Sequence, residues 1–288
     1  MSARSPGALA GLVLSAVCLG SGHVCARYTF GLGVELLTAA SVRAGCACLV
    51  LLTLVLARRT VWRVPGRHLA GCGLLGVCVV GQTLFVQIGV KRLPVTLALL
   101  LFYTYPFFTA LASSLLGDHK VERRLALSLA AAFAGLLLVL GVSPQAVDPV
   151  GVAAAVGAAL SFTGTLVLTP RLAPGMDPPL RTLLMMAAAA LVIGTATAAT
   201  GGLHWPAAPA AQAGLLGLSL LYGVGITGVF LMVSRLGPVP AAVVLNLEPV
   251  FVATIAWIAL GEALTAVQVM GAAVVVGAVV FSQARRAR

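Results

Sequence analysis

The sequence predicts an all-helical membrane protein, and three observations carry that prediction. Of its 288 residues, 60% are hydrophobic and 9% are charged, whereas soluble domains carry about 25% charged residues. The apolar residues gather into ten runs, each of roughly the 17–25 residues that cross a bilayer as a helix. Clusters of Lys and Arg separate the runs. A soluble globule with a single anchor is thereby excluded.

The ten runs define the expected transmembrane helices in chain order. Their limits are 7–26, 34–56, 68–90, 94–116, 122–142, 149–169, 179–200, 210–233, 239–260 and 264–283. The run at 179–200 is the weakest because Ala and Thr are frequent in it. The first run follows Arg4 and has the layout of a secretory signal, but the many runs after it favour a retained first span.

The basic residues predict how these helices are oriented. With the N-terminus in the cytoplasm, fourteen of the eighteen Lys and Arg residues fall in cytoplasmic segments and three in outer segments. The outer three are Arg27, Lys91 and Arg92, while Arg43 lies within the second run. This bias follows the positive-inside rule and places both termini in the cytoplasm. It explains the net charge of +11 without a nucleic-acid partner, since no basic face or aromatic-interleaved basic motif occurs.

The motifs of enzymes, metal sites and ATP-driven pumps do not occur in the sequence. The six cysteines all fall in the first 80 residues, without a CxxC spacing or a histidine cluster, so they are expected to be small packing residues. There is no HExxH pair, Gly-x-Ser-x-Gly elbow or Walker A loop. We therefore expect no catalysis, metal or cofactor, and any transport must draw on a gradient or on the substrate itself.

An internal repeat relates the fourth expected span to the ninth. Matching features recur at an offset of 143 or 144 residues. The matches are Val90–Pro94 with Val233–Pro238, Tyr105-Pro106-Phe107 with Glu248-Pro249-Val250, and Gly117-Asp118 with Gly261-Glu262. A five-span unit is thus used twice, over 7–142 and 149–283. Because five is odd, the second unit crosses the membrane in the opposite sense, which is typical of secondary transporters.

These motifs, taken in order and spacing, resemble the drug/metabolite transporter superfamily, specifically its EamA-like family. Arg43 in Ser41-Val42-Arg43 matches the arginine typical of the second span there, and the resemblance covers about residues 8–283. It implies a ten-helix inverted-repeat bundle that exports amino acids or other small metabolites. The sequence departs from the family at Asp118, where Glu is commoner, and at Ser161–Gly164, which is less distinctive.

Glu248 is the first candidate for the transport pathway. It lies near the middle of the ninth run and directly precedes Pro249. A carboxylate at mid-membrane costs at least about 2.5 kcal/mol and usually faces a bundle interior or a wet cavity. Two roles stay open: contact with a substrate ammonium or a coupling proton, or a fixed packing role in which Glu248 pairs with a tyrosine or with Arg43.

Arg43 also has two roles open. It would bind a substrate carboxylate bidentately, or it would pair with Glu248 or with Glu35, two helical turns before it; the pairing is the preferred expectation. His23, near the outer end of the first span, is either a cavity residue or an interface residue.

Uncharged polar residues complete the expected pathway. They are Gln82, Gln87, Tyr103, Tyr105 and Asn246. Tyr103 and Tyr105 are about 200° apart on a regular helix, so one of them is expected to reach the cavity. The prolines that are expected to break spans are Pro106 and Pro249, because proline frees a carbonyl of its helical partner.

The function expected from these features is a secondary transporter that exports amino acids or other small metabolites, with coupling to a proton gradient left open. The alternative is efflux of lipophilic cations, which ranks lower because the first span has no acid and aromatics make up 6% of the chain. A passive channel or structural subunit ranks lower still. The expected partners are a small-molecule substrate and the lipid bilayer of a bacterial-type inner membrane, with a homodimer left open.

Overall fold

The computed structural model describes residues 6–62, 64–93, 95–118, 122–141, 148–261 and 264–283. Within these ranges the chain is helical, and no residue is in a strand. The helices are α1 (Pro6–Gly31), α2 (Leu36–Ala57), α3 (Gly66–Arg92), α4 (Val95–Phe102), α5 (Tyr105–Leu115), α6 (Arg123–Leu140), α7 (Pro149–Leu172), α8 (Pro178–Ala199), α9 (Pro209–Leu236), α10 (Pro238–Leu245), α11 (Glu248–Leu260) and α12 (Ala266–Gln283).

The described residues contain ten helical spans that are long and apolar enough to cross a membrane. Helices α4 and α5 together form the fourth span, and α10 and α11 form the ninth. The prediction of an all-helical, multi-pass membrane protein is confirmed. The main difference is in α1, which continues to Gly31 and so includes Arg27, expected in an outer loop. Residues used in the predictions that lie outside the described ranges are Arg4, Arg63, Pro94, Lys120, Glu262, Arg285, Arg286 and Arg288.

The fourth and ninth spans are each broken by a short turn. Residues 103–104 separate α4 from α5, and residues 246–247 separate α10 from α11. Pro106 and Pro249 occupy the second position of the helix that follows each turn. There the missing N–H removes no helical hydrogen bond, whereas a continuous helix would lose one. The turns are tight, with backbone hydrogen bonds from Thr104 to Leu101, Asn246 to Val243 and Leu247 to Val244.

The packing is the same when each helix of the first half, α1–α6, is exchanged for the corresponding helix of the second half, α7–α12. Helix α1 packs against α9 as α3 packs against α7, and α2 packs against α9 as α3 packs against α8. In the same way, α1 contacts α10 and α11 while α7 contacts α4 and α5. Helices α6 and α12 pair with each other at the edge of this arrangement. The two broken spans therefore lie beside the first helix of the opposite half.

Ion pairs hold α7 at both of its ends. Arg92 in the last turn of α3 lies 3.1 Å from Asp148, and Arg171 in the last turn of α7 lies 2.6 Å from Asp118. Asp148 also caps α7 by accepting a hydrogen bond from the Val150 N–H at 2.8 Å. The hydrogen bond from Arg92, followed by those from the backbone, lowers the pKa of Asp148 below its ordinary value.

Candidate functional site

Glu248 pairs with a histidine of the first span. Its Oε1 lies 2.9 Å from Nε2 of His23, and the two side chains are 11% and 51% exposed. Because the chain turns at residues 246–247, Glu248 is the first residue of α11, where the free N–H groups and the helix dipole favour a carboxylate. Both roles left open for Glu248 are compatible with this geometry, but its ion-pair partner is His23 and not Arg43 or a tyrosine.

A glycine brings α1 close enough for this contact. A Cβ added to Gly20 would lie 3.3 Å from the carbonyl oxygen of Glu248 and 3.2 Å from Cβ of Phe251. His23 follows Gly20 by three residues and so lies on the same face of α1. The small residue therefore sets the distance at which His23 meets the carboxylate.

An aromatic cluster occupies the break in the fourth span, close to Glu248. The ring centroids of Tyr103 and Tyr105 are 6.4 Å apart, and those of Tyr105 and Phe162 are 4.8 Å apart. Phe102 contacts all three rings. Tyr103 and Tyr105 are both buried, and both phenols lie close enough to Glu248 to interact with its carboxylate electrostatically. The 200° separation assumed an unbroken helix and is wrong here, because the turn brings both rings into one cluster.

Tyr105 is tied to two other helices, to one by its side chain and to the other by its backbone. Its phenol donates a hydrogen bond to the carbonyl oxygen of Ala242 in α10 at 3.4 Å. Its carbonyl oxygen accepts hydrogen bonds from the hydroxyls of Thr163 in α7 at 3.1 Å and of Thr109 in its own helix at 2.8 Å. Tyr105 thereby joins the fourth, sixth and ninth spans at the level of the break.

The contacts around Glu248 and Tyr105 occupy equivalent places in the two halves but differ in chemistry. The equivalent residues, related by an offset of 143 in the sequence, are Glu248 and Tyr105, Thr163 and Gly20, and Leu166 and His23. At the interface of α7 with α5 a threonine hydroxyl bonds the backbone of the break, while at the equivalent interface of α1 with α11 a glycine lets the backbones touch. The titratable pair of His23 and Glu248 therefore joins the two halves at the α1–α11 interface and has no equivalent at the α7–α5 interface.

Arg43 stacks on a tyrosine instead of pairing with an acid. Its guanidinium carbon lies 4.3 Å from the centroid of the Tyr222 ring in α9, a cation–π contact. The preferred expectation that Arg43 pairs with Glu248 or Glu35 is wrong, because Glu35 pairs with His204 at 2.9 Å. Both acids thus have histidine partners, and the edge of the Arg43 guanidinium remains able to donate hydrogen bonds.

The amide residues divide into one that is buried at the break and two that are not. Asn246, in the turn before Glu248, is 2% exposed, and its Oδ1 has no hydrogen-bond partner among the described residues. Such a buried acceptor costs about 1–3 kcal/mol unless a donor reaches it. Gln82 and Gln87 are half-buried on α3, and neither forms a hydrogen bond within the described part of the chain.

Sequence reasoning missed several polar or aromatic residues that the structure places in contacts between helices. For Tyr222 and Phe162, nothing in the sequence other than the residue type indicated a contact between helices. Arg181 was assigned to a cytoplasmic segment, but it is 4% exposed and donates a hydrogen bond to Ser234 of α9. The signal for Arg181 was the preceding Pro178-Pro179, since proline favours the first turn of a helix and so places the arginine inside it.

The fold and the broken spans define a polytopic membrane protein of the transporter type, and comparison with known proteins identifies the family. Residues 6–141 and 149–283 each match the EamA-like transporter family, so the chain belongs to it. The chain is therefore a membrane transporter of the drug/metabolite type. A crystal structure of another protein shares the fold, with a TM-score of 0.81 and 20% identity over 96% of this chain and 98% of the other. No curated protein matches the sequence.

Proposed function

We propose that the protein is a secondary transporter that exports amino acids or other small zwitterionic metabolites, with a proton as the coupling ion. The observation that carries the proposal is the contact of 2.9 Å between Glu248 and His23 at the broken ninth span. An ionisable residue inside a membrane is expensive and marks a substrate, ion or proton pathway. Here both partners can gain or lose a proton.

The chemistry of the pair favours exchange between a proton and a substrate ammonium. An ammonium group that contacts Glu248 would compete with His23 for the same carboxylate, so binding a cation and protonating the pair would oppose each other. The Oδ1 of Asn246, which has no partner among the described residues, offers an acceptor in the preceding turn. Arg43 presents the face of its guanidinium to Tyr222, and the N–H donors at its edge would receive the substrate carboxylate. One site would thus bind both the ammonium and the carboxylate of an amino acid.

The proposed architecture is a pair of inverted five-helix repeats, with both termini in the cytoplasm of a bacterial-type cell. The exchange of packing partners between halves supports it, as do the matched breaks before Pro106 and Pro249. Alternating access would then rock one half against the other around the site at the breaks.

The test is transport in liposomes that contain the purified protein. Labelled amino acids would be loaded, and efflux measured with and without an inward proton gradient. We expect a gradient to accelerate efflux at least tenfold and Glu248→Gln to remove that acceleration. Glu35→Gln is the matched control, because Glu35 also pairs with a histidine at 2.9 Å but is exposed. Equal efflux by wild type and Glu248→Gln in every assay would contradict the proposal.

Efflux of lipophilic cations is the second candidate, and one observation favours it. The rings of Phe102, Tyr103, Tyr105 and Phe162 cluster beside the single acid of the broken spans, and aromatic faces attract organic cations. If this function is correct, a strain that lacks the protein becomes sensitive to tetraphenylphosphonium while its amino-acid efflux is unchanged. An unchanged sensitivity removes this candidate.

A further inference from the structure

We propose that a cleft between α6 and α12 binds the headgroup of an anionic phospholipid. The cleft has a volume of about 330 Å³ and is lined by Arg123, Arg124, Leu127 and Phe281. It lies where α6 begins and α12 ends, which is the end of both spans. It belongs neither to the site at Glu248 nor to the proposed transport reaction.

The packing of α6 on α12 leaves this cleft open. The helices touch at Gly135 and Gly271, where a Cβ on either residue would lie 2.7–2.8 Å from the carbonyl oxygen of the other. From that point to Phe281 is ten residues, or about 15 Å along the helix. The span that contains α12 is only 22% buried within the protein, so the outer wall of the cleft faces lipid.

Arg124 is held in the cleft with donors still to satisfy. Its guanidinium lies over the ring of Phe281 at 4.7 Å and donates a hydrogen bond to the carbonyl oxygen of the same residue. Its Nε is buried and has no hydrogen-bond partner among the described residues. Arg123 is exposed beside it, and Glu122 is not part of the lining. Two guanidinium groups at one interface form a site for phosphate oxygens.

The apolar half of the lining indicates a lipid instead of free phosphate. Leu127 is 53% exposed and Phe281 is 50% exposed, and both would contact the start of an acyl chain. The positive-inside prediction places this end in the cytoplasmic leaflet, where anionic lipids attract basic clusters. A second copy of the chain would bring two more arginines against these two, which opposes pairing through this surface.

The experiment titrates the detergent-solubilised full chain with short-chain phosphatidylglycerol or phosphatidylcholine and measures bound lipid by native mass spectrometry. We expect phosphatidylglycerol to bind at least tenfold more tightly. Because each interfacial arginine contributes roughly fivefold, Arg123→Gln with Arg124→Gln lowers the affinity about 25-fold. Arg123→Gln alone lowers it about fivefold; it is the safer variant because Arg123 is exposed. Phosphatidylcholine binding stays unchanged in both variants.

The matched control removes two adjacent arginines that do not line the cleft. Arg58→Gln with Arg59→Gln makes the same change in net charge at two exposed residues and leaves the affinity for phosphatidylglycerol unchanged. An equal loss in this control, or full affinity in the cleft variants, overturns the proposal. Competition by inorganic phosphate at equal concentration also overturns it, since it identifies a phosphate site. If the protein is a dimer that the cleft variants dissociate while lipid binding stays intact, the surface binds a second copy of the chain, and the lipid proposal is overturned as well.

Discussion

Glu248 and His23 differ from the other acid–histidine pair of the described chain in where they lie. Both pairs have a distance of 2.9 Å, but Glu248 is mostly buried in a broken span, whereas Glu35 and His204 are more than half exposed. An exposed ion pair contributes little because water and salt screen it. A buried carboxylate stays charged only if its partner, or a cation that replaces that partner, balances the negative charge. The first pair is therefore suited to couple proton transfer to binding.

The variant His23→Gln tests this difference. The amide still donates a hydrogen bond to Glu248 but takes up no proton, so we expect proton-driven efflux to fall about tenfold while the protein stays folded. The control is His204→Gln, which changes the same residue type in the exposed pair and leaves efflux within twofold of wild type. An equal loss in the two variants would show that the histidines support the fold alone.

Asp148 supplies a prediction about acid stability. Its pKa is lowered in the folded protein, first by the hydrogen bond from Arg92. A group with a lowered folded pKa stabilises the protein above its unfolded pKa, and that contribution disappears as the pH falls through the folded value. We therefore expect Asp148→Asn to melt slightly below wild type at pH 7, because the pair with Arg92 is partly exposed, and we expect this difference to shrink as the pH falls below the ordinary Asp pKa of about 3.9. A difference that is independent of pH would contradict this.

Single residues show where sequence reasoning reached its limit. The cost of a mid-membrane carboxylate was enough to select Glu248, but its partner lies 225 positions away on α1. Pairing along one helix favoured Arg43 with Glu35, yet tertiary contacts gave both residues other partners. Spacing along a helix predicts which residues share a face, but it does not predict which other helix that face contacts.

At the level of elements, the contact between α6 and α12 depends on two glycines that meet backbone to backbone. We expect Gly271→Ala to lower the unfolding free energy by about 1–3 kcal/mol, because its Cβ would lie 2.7 Å from a carbonyl oxygen. The matched control in the same helix is Gly277→Ala, whose Cβ would meet no atom within 4 Å. Thermal unfolding in detergent measures both. Similar melting temperatures for the two variants would contradict a packing role for Gly271.

The break in the ninth span gives a second prediction for an element. Alanine at position 249 restores an N–H that can bond the carbonyl of Leu245, so Pro249→Ala favours a continuous helix and carries Glu248 away from His23. We expect efflux to fall at least tenfold with the melting temperature unchanged or raised. Pro209→Ala is the control, because that proline begins α9 and interrupts no span. Unaltered efflux in Pro249→Ala would show that the turn does not depend on the proline.

The sequence predicted the spans well and the breaks only in part. Apolar length and the flanking charges locate helices because each span must satisfy its own backbone in lipid. The prolines marked the fourth and ninth spans, but periodicity could not show that each turn contains two residues and rotates the second half of the span relative to the first. The grouping of Tyr103 with Tyr105 depends on that rotation, and it could not be predicted with a regular helix.

For the whole molecule, the two helices that lie beside the broken spans are held differently. Helix α7 is tied to α5 by the buried hydrogen bond from the Thr163 hydroxyl to the Tyr105 carbonyl oxygen, and partly exposed ion pairs join its ends to Arg92 and Asp118. Helix α1 meets α11 through the titratable pair of His23 and Glu248, with Gly20 at the contact. Since hinges and gates are drawn from the weaker contacts of a structure, we expect α1 to move against α11 during transport while α7 stays with α3.

A pair of engineered disulfides distinguishes the moving contact from the fixed one. In a background without the six native cysteines, Gly20→Cys with Phe251→Cys joins α1 to α11, where the Cβ atoms would lie 3.2 Å apart. Gly89→Cys with Ala155→Cys joins α3 to α7 at 3.4 Å; both distances are close to the roughly 3.5–4.5 Å of natural disulfides. We expect oxidation to stop efflux in the first variant, with full recovery on reduction, and to leave the second within twofold of its reduced rate. If the cross-linked α1–α11 variant transports at the reduced rate, the motion that alternates access lies elsewhere, and the His23–Glu248 contact stays closed throughout the cycle.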